Sequence, residues 1–425
     1  MSEQQEGSSK RISLAKEAGA YQRNWFLETK RRVEAGEPFA FLTAQVPQEI
    51  FRAMDIPYVV NQWWSSVCAA KQLSPYFFGL LNEQGYREDL CHYCSLSLAS
   101  TLSPAEGPWG GLPKPTLFVT RYSCDSQAKI FELMARQFGG VPVYMLENTV
   151  PISMPERWWE KIRTNWEELF DPHRLDFMVE EYKGLIRFLE METGRRFDET
   201  KFKEIMRLVN EQEEWNRKTR DLIAETVPAP VSITDTIPAT MIPQWHRGTP
   251  WAVEQARKLY EQVKALADQG IAAVPNERLR IMWLGRMVWF NMGMFRYFEE
   301  KYGASFIWSI YLAIAADGYA REGGDPLRAL ASRFASMEDI LHTPPWNVDW
   351  YVDQARQHQV HGVIHMITEG HNSSGATYFI RKAFEKAGIP ILEIASDPVD
   401  ARRWNQESMT AVIETFIRER LGVTA

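Results

Sequence analysis

Short runs that are apolar at nearly every residue, each followed by a polar loop and an amphipathic stretch, constrain this chain more than any other feature in it. FAFLTAQ (39–45) and IPYVV (56–60) flank one such stretch, Gln48–Met54, while TLFVTR (116–121) and VPVYMLE (141–147) flank another, Asp125–Phe138. A strand with one wet face alternates apolar and polar residues. These runs do not, so they need cover on both faces, the position of a strand in a parallel sheet with helices above and below it.

The pattern returns in the second half. LRIMWLG (279–285), SFIWSIY (305–311), GVIHMIT (362–368) and IPILEIAS (389–396) read as strands, with helices expected over 291–302, 376–387 and 407–421. Between the two series, from Pro155 to about Glu225, the spacing of apolar residues is three and four with Glu, Lys and Arg between, which is helical. The expected fold is α/β: two doubly wound parallel-sheet domains with a helical segment between them. Its divisions are a helical segment over 1–36, a first α/β domain over 37–154, helices and linker over 155–245, and a second α/β domain over 246–425. VPAPVSITDTIPATMIP (227–243) is expected to break the helical pattern and cross between domains.

Charge narrows the function. The 425 residues carry 48 Lys+Arg against 55 Asp+Glu, a net −7, so there is no basic excess to neutralise phosphates and nucleic acid is not an expected partner. No apolar window is long enough to span a membrane, and the first residues lack the apolar core of a secretory signal, so a cytoplasmic address is expected. In a reducing cytosol, clustered cysteines read as metal ligands or catalytic thiols rather than disulfides.

In open α/β sheets ligands bind beyond the carboxyl ends of the strands, so the residues that follow each strand are the candidates. After 56–60 come Gln62, Trp63 and Trp64, where aromatic walls can exclude water and stack on a flat substrate. After 116–121 comes Cys124, at the start of a helix, where free N–H groups favour a thiolate. Cys91 and Cys94 have the C-x-x-C spacing that lets two thiolates meet one metal, although without a second pair the motif also suits a small buried hydrophobe. Cys68 falls on an apolar helical face and reads as core. After 362–368 come Glu369 and His371, candidates for proton transfer, and Asn372, Ser373 and Ser374 in a glycine-flanked loop able to cradle an anion. His365, inside that strand, reads as a buried, hydrogen-bonded residue. No Walker A loop and no G-x-G-x-x-G follows any strand, so an ATP or dinucleotide site is not expected here.

SSVCAAK, GYREDLCHYC and RYSCDSQAKIFELMARQFGGVPVYMLE, with the closing GIPILEIASDPVDARRWNQESMTAVIETFIRERLG, together resemble the benzoyl-CoA reductase and 2-hydroxyacyl-CoA dehydratase family over nearly the whole chain. That resemblance implies a 4Fe–4S cluster held by Cys91 and Cys124, an acyl-CoA substrate, a paralogous cluster-bearing subunit, and a separate ATP-hydrolysing iron–sulfur activator that supplies a low-potential electron. ATP is then needed only on the activator. Members usually carry a third cysteine in the loop after the penultimate strand. Here that loop reads GHNSSGA, so either Cys94, Glu369, His371, Ser373 or Ser374 completes the coordination, or the cluster is altered or absent. Gln62 stands where many members have Glu. Within the family, the aromatic-rich candidate site leans the expectation toward a benzoyl-CoA reductase-type subunit. A 2-hydroxyacyl-CoA dehydratase subunit is the alternative, and a non-catalytic scaffold subunit a third.

Overall fold

The structure, a computed structural model, describes residues 12–86, 91–147, 149, 154–342, 346–368 and 377–424. Eight strands among them form two four-stranded sheets: β1 (Ala40–Leu42), β2 (Tyr58–Val60), β3 (Leu117–Arg121) and β4 (Val143–Leu146), then β5 (Leu279–Gly285), β6 (Ala304–Ser309), β7 (Gly362–Thr368) and β8 (Ile391–Ser396). Every pairing is parallel. The orders are β2-β1-β3-β4 and β6-β5-β7-β8, so the halves repeat one topology. This is the α/β fold with two parallel-sheet domains that the apolar runs called for. β1, β2, β3 and β7 are buried along nearly their whole length because helices cover both faces.

A single cluster of buried side chains runs from the first sheet into the second, taking in Phe41, Val59 and Phe118 as well as Met282, Trp308 and Val363. The helix Glu199–Glu225 spans this region. It packs on Gln48–Ala53 from the first half and on Pro250–Asp268 and Ile310–Asp317 from the second.

Three local expectations change. β2 passes straight into a helix, Asn61–Ala70, with no loop between them, so Gln62, Trp63 and Trp64 occupy its first turn. β6 ends at Ser309, and the apolar residues after it start the helix Ile310–Asp317. The proline-rich stretch is largely helical: Ile233–Trp245 forms one helix with Pro238 and Pro243 inside it. A capping box between Ser232 and Asp235 satisfies its first N–H groups, and the helices Leu14–Glu34, Pro250–Asp268 and Ile310–Asp317 pack around it. Tertiary packing thus holds a helix that the prolines alone would break.

Candidate functional site

Each sheet has one point where the strand order reverses, between β1 and β3 in the first and between β5 and β7 in the second. Ligands in doubly wound sheets bind at such points. Here both points open into a single cavity of about 150 Å³. The first sheet contributes Ala44 and Gln45, just after β1, and Gln127 from the helix after β3; the second contributes Gly285, Arg286 and Thr368. Tyr93, Trp245, Tyr311, Tyr319 and Tyr351 supply aromatic wall. Gly285 has φ +94°, and a Cβ there would run into the Met366 carbonyl, so β5 can turn out beside β7 only as glycine.

Gln62 lines the cavity, and its Oε1 accepts the Ala44 N–H at 2.8 Å, which fixes the amide against the turn after β1. Trp63 and Trp64 face elsewhere. Trp64 is fully buried, donates from Nε1 to Ser100 Oγ at 2.9 Å and stacks on Phe26, while Trp63 donates to Gln22 Oε1 at 3.0 Å. Trp283 is likewise core, edge-on to Phe295 at 5.0 Å.

Cys91 caps the helix His92–Thr101 and Cys94 lies in its first turn, with the Cys94 N–H on the Cys91 carbonyl at 3.0 Å. The two side chains hydrogen bond. The bond from Cys94 draws the Cys91 thiol down to about 7 against its burial, with help from the Arg286 charge. The same bond, with burial and the neighbouring Cys91 charge, pushes the Cys94 thiol well up. Cys94 also lines the cavity. Cys124 caps the helix Asp125–Gln137, close enough for its charge to be felt at Cys94. Cys68 is buried, and burial raises its thiol further out of reach.

His92 ties this corner to the other sheet. Its Nδ1 lies 3.0 Å from Asp397, just past β8, and 3.7 Å from Asp400. Burial pushes its pKa down, but the two carboxylates outweigh burial and raise it.

Glu369, His371, Asn372, Ser373 and Ser374 lie outside the described residues. Sequence reasoning overlooked Arg286, Tyr93, Tyr311, Tyr351 and the cavity-lining role of His365. Arg286 directly follows a strand and was open to the strand-end rule. The tyrosines carry no such signal, because helices far apart in the chain bring them to the cavity.

The cluster implied by the resemblance can be tested against these donors. Cys91 and Cys94 supply thiols of the right chemistry, but among the described residues no three His, Cys, Asp or Glu side chains converge as a metal site requires. The described donors therefore do not fit a complete cluster site. No helix among the described residues is long and apolar enough to cross a membrane.

Residues 43–419 match the family described as 2-hydroxyglutaryl-CoA dehydratase, D-component. The chain is 22% identical over 387 residues to the (R)-2-hydroxyisocaproyl-CoA dehydratase alpha subunit of Clostridioides difficile, covering 90% of each chain. It is also 22% identical over 384 residues to the (R)-phenyllactyl-CoA dehydratase alpha subunit of Clostridium sporogenes, covering 89% of this chain and 88% of the relative. Both relatives are dehydratase subunits, so the comparisons favour the water-eliminating branch over the ring-reducing one expected from the aromatic content.

Proposed function

Since this chain belongs to the 2-hydroxyglutaryl-CoA dehydratase, D-component family, we propose that it is a subunit of an enzyme that removes water from a (R)-2-hydroxyacyl-CoA thioester to give a 2-enoyl-CoA. The observation that carries this reading is the aromatic-walled cavity at both topological switch points, with the Cys94 thiol in its wall and Arg286 beside Tyr93. Within it the chain's own groups bind and orient. Tyr311, Tyr351 and Trp245 keep water from the acyl group, Gln62 presents an amide held in one orientation, and the Arg286 guanidinium, 5.7 Å from the Tyr93 ring centre, favours negative charge developing on the thioester. Being similar to alpha subunits, the chain acts with a paralogous partner subunit and a separate ATP-hydrolysing activator.

The test is an anaerobic assay of the co-expressed complex with activator, ATP and a panel of 2-hydroxyacyl-CoA and aromatic CoA esters. Enoyl-CoA formation is the expected result. Reduction of an aromatic ring, or turnover of neither class, would overturn the proposal.

A second reading, a scaffold subunit beside a catalytic sister, rests on the missing third cysteine: the segment after β7 reads GHNSSGA where family members usually carry one. Iron and sulfide analysis of the anaerobically purified chain separates the two. About four irons per chain eliminate the scaffold, and none favours it.

A further inference from the structure

Among the described residues no third metal donor converges on Cys91 and Cys94, yet the two thiols are placed together. Cys91 holds the N-cap and Cys94 the third position of the helix His92–Thr101, the pair of positions that a capping box joins, and the Cys94 N–H on the Cys91 carbonyl closes the turn at 3.0 Å. Across that turn Cys94 donates a hydrogen bond to the Cys91 sulfur. Both side chains are in the thiol form and 3% exposed, and Cys94 forms part of the cavity wall. His92, between them in the chain, is engaged by Asp397 and Asp400 instead.

The same placement suits a bond between the sulfurs. Side chains three apart on a helix have Cβ atoms about 5–6 Å apart, and a disulfide needs about 3.5–4.5 Å. The N-cap residue can make up that difference because its backbone already lies outside the helix, at φ −53° and ψ 113°. The two thiols also differ in the way such a bond requires. Cys91 accepts the Cys94 hydrogen bond and feels the Arg286 charge, both of which favour its thiolate and make it the nucleophile, while Cys94 keeps its proton. Cys68 is buried in the core, and Cys124 caps a separate helix. A small oxidant has a route to the pair, since the cavity that Cys94 lines holds about 150 Å³, against about 30 Å³ for a water molecule in the liquid.

We propose that Cys91 and Cys94 are a redox couple, a dithiol that hydrogen peroxide entering by the cavity oxidises to an intrachain disulfide. The Cys91 sulfur attacks one peroxide oxygen, the O–O bond breaks, and hydroxide leaves, with a sulfenic acid formed on Cys91. The Cys94 sulfur then attacks the Cys91 sulfur, the S–O bond breaks, and the hydroxyl group departs as water with the Cys94 proton. The proton given up by Cys91 turns the hydroxide into a second water. Two thiols thereby lose two electrons and two protons, and one peroxide becomes two waters. A dithiol reductant reverses the change by thiol–disulfide exchange. Nothing in these steps depends on the acyl-CoA reaction.

The experiment treats the full chain, purified anaerobically, with hydrogen peroxide, removes the excess with catalase and counts thiols in denaturant. The reduced chain has four cysteines, so losing the pair leaves two, and dithiothreitol is expected to restore all four. The tryptic peptide that carries both Cys91 and Cys94 is expected to become two hydrogens lighter. In Cys94→Ser no resolving thiol remains, so the Cys91 sulfenic acid is expected to accumulate and its dimedone adduct to rise above the wild-type level. A count that stays at four, as it would if a metal held both thiols, would overturn the inference. So would a disulfide through Cys68 or Cys124, or a Cys91 adduct that Cys94→Ser leaves unchanged. Each of these outcomes leaves the dehydratase proposal standing, because that is read from enoyl-CoA formation.

Discussion

His92 Nδ1 lies 3.0 Å from the Asp397 carboxylate, and this bond fastens the helix carrying Cys91 and Cys94 to the turn after β8 in the other sheet. Asp397 is itself positioned by the N–H groups of Val399 and Asp400, each 2.8 Å from its Oδ1. The thiol corner and the second sheet therefore share one rigid contact.

That contact predicts coupling. A double-mutant cycle of His92→Leu and Asp397→Asn, followed by denaturant unfolding, should give an interaction energy of about 1.5–3 kcal/mol, the range for a hydrogen bond to a charged group. Additive effects would mean that the two side chains do not interact in solution.

Glu49 and Arg247 form a buried pair, with Arg333 3.9 Å from the same carboxylate. Glu49→Gln leaves two buried cations without their counter-charge and should lower stability by about 3–5 kcal/mol at pH 7. Burial pushes the Glu49 pKa up, but Arg247 and Arg333 outweigh burial and lower it. The carboxylate's contribution is therefore complete above its unfolded pKa of about 4.3 and is lost as pH falls through the lower folded value. Calorimetry should show the gap in Tm between wild type and Glu49→Gln wide at pH 7 and narrowing in acid.

Trp64 packs on Phe26 and bonds Ser100, away from the cavity. Trp64→Ala should cost about 3–5 kcal/mol of stability, as large-to-small core changes do. In protein that remains folded, acyl-CoA dissociation constants should stay within about twofold. A tenfold loss of affinity would instead assign Trp64 to the ligand.

Gln62→Leu removes the acceptor of the Ala44 N–H at the cavity wall and should cost about 1–3 kcal/mol. Gln62→Glu keeps an acceptor but introduces a carboxyl whose pKa burial raises. Ionising it works against folding, so the deficit of this variant should grow as pH rises from 5 to 8, seen as a falling Tm relative to wild type.

The sequence alone determined the secondary-structure alphabet and the fold class. Fully apolar five- to seven-residue runs cannot tolerate a wet face, so parallel sheets with helical cover follow from local pattern; Cys124 at a helix start follows from the same local logic. Tertiary structure decided what local pattern could not. The prolines of 227–243 argue against a helix unless neighbours enclose it, and here three helices do. His365 within an apolar strand reads as a buried, hydrogen-bonded residue, and the folded structure buries it with its Nδ1 unpaired among the described residues. Trp63 and Trp64 follow a strand, yet a helix begins two residues before Trp63, at Asn61, and turns them into the core. The Arg286 charge is felt at Cys91 and Cys94, although nearly two hundred residues separate them in the chain. The physical reason is common to all four: helix and strand periodicity are set by neighbours along the chain, whereas burial, hydrogen-bond completion and charge pairing are set by neighbours in space.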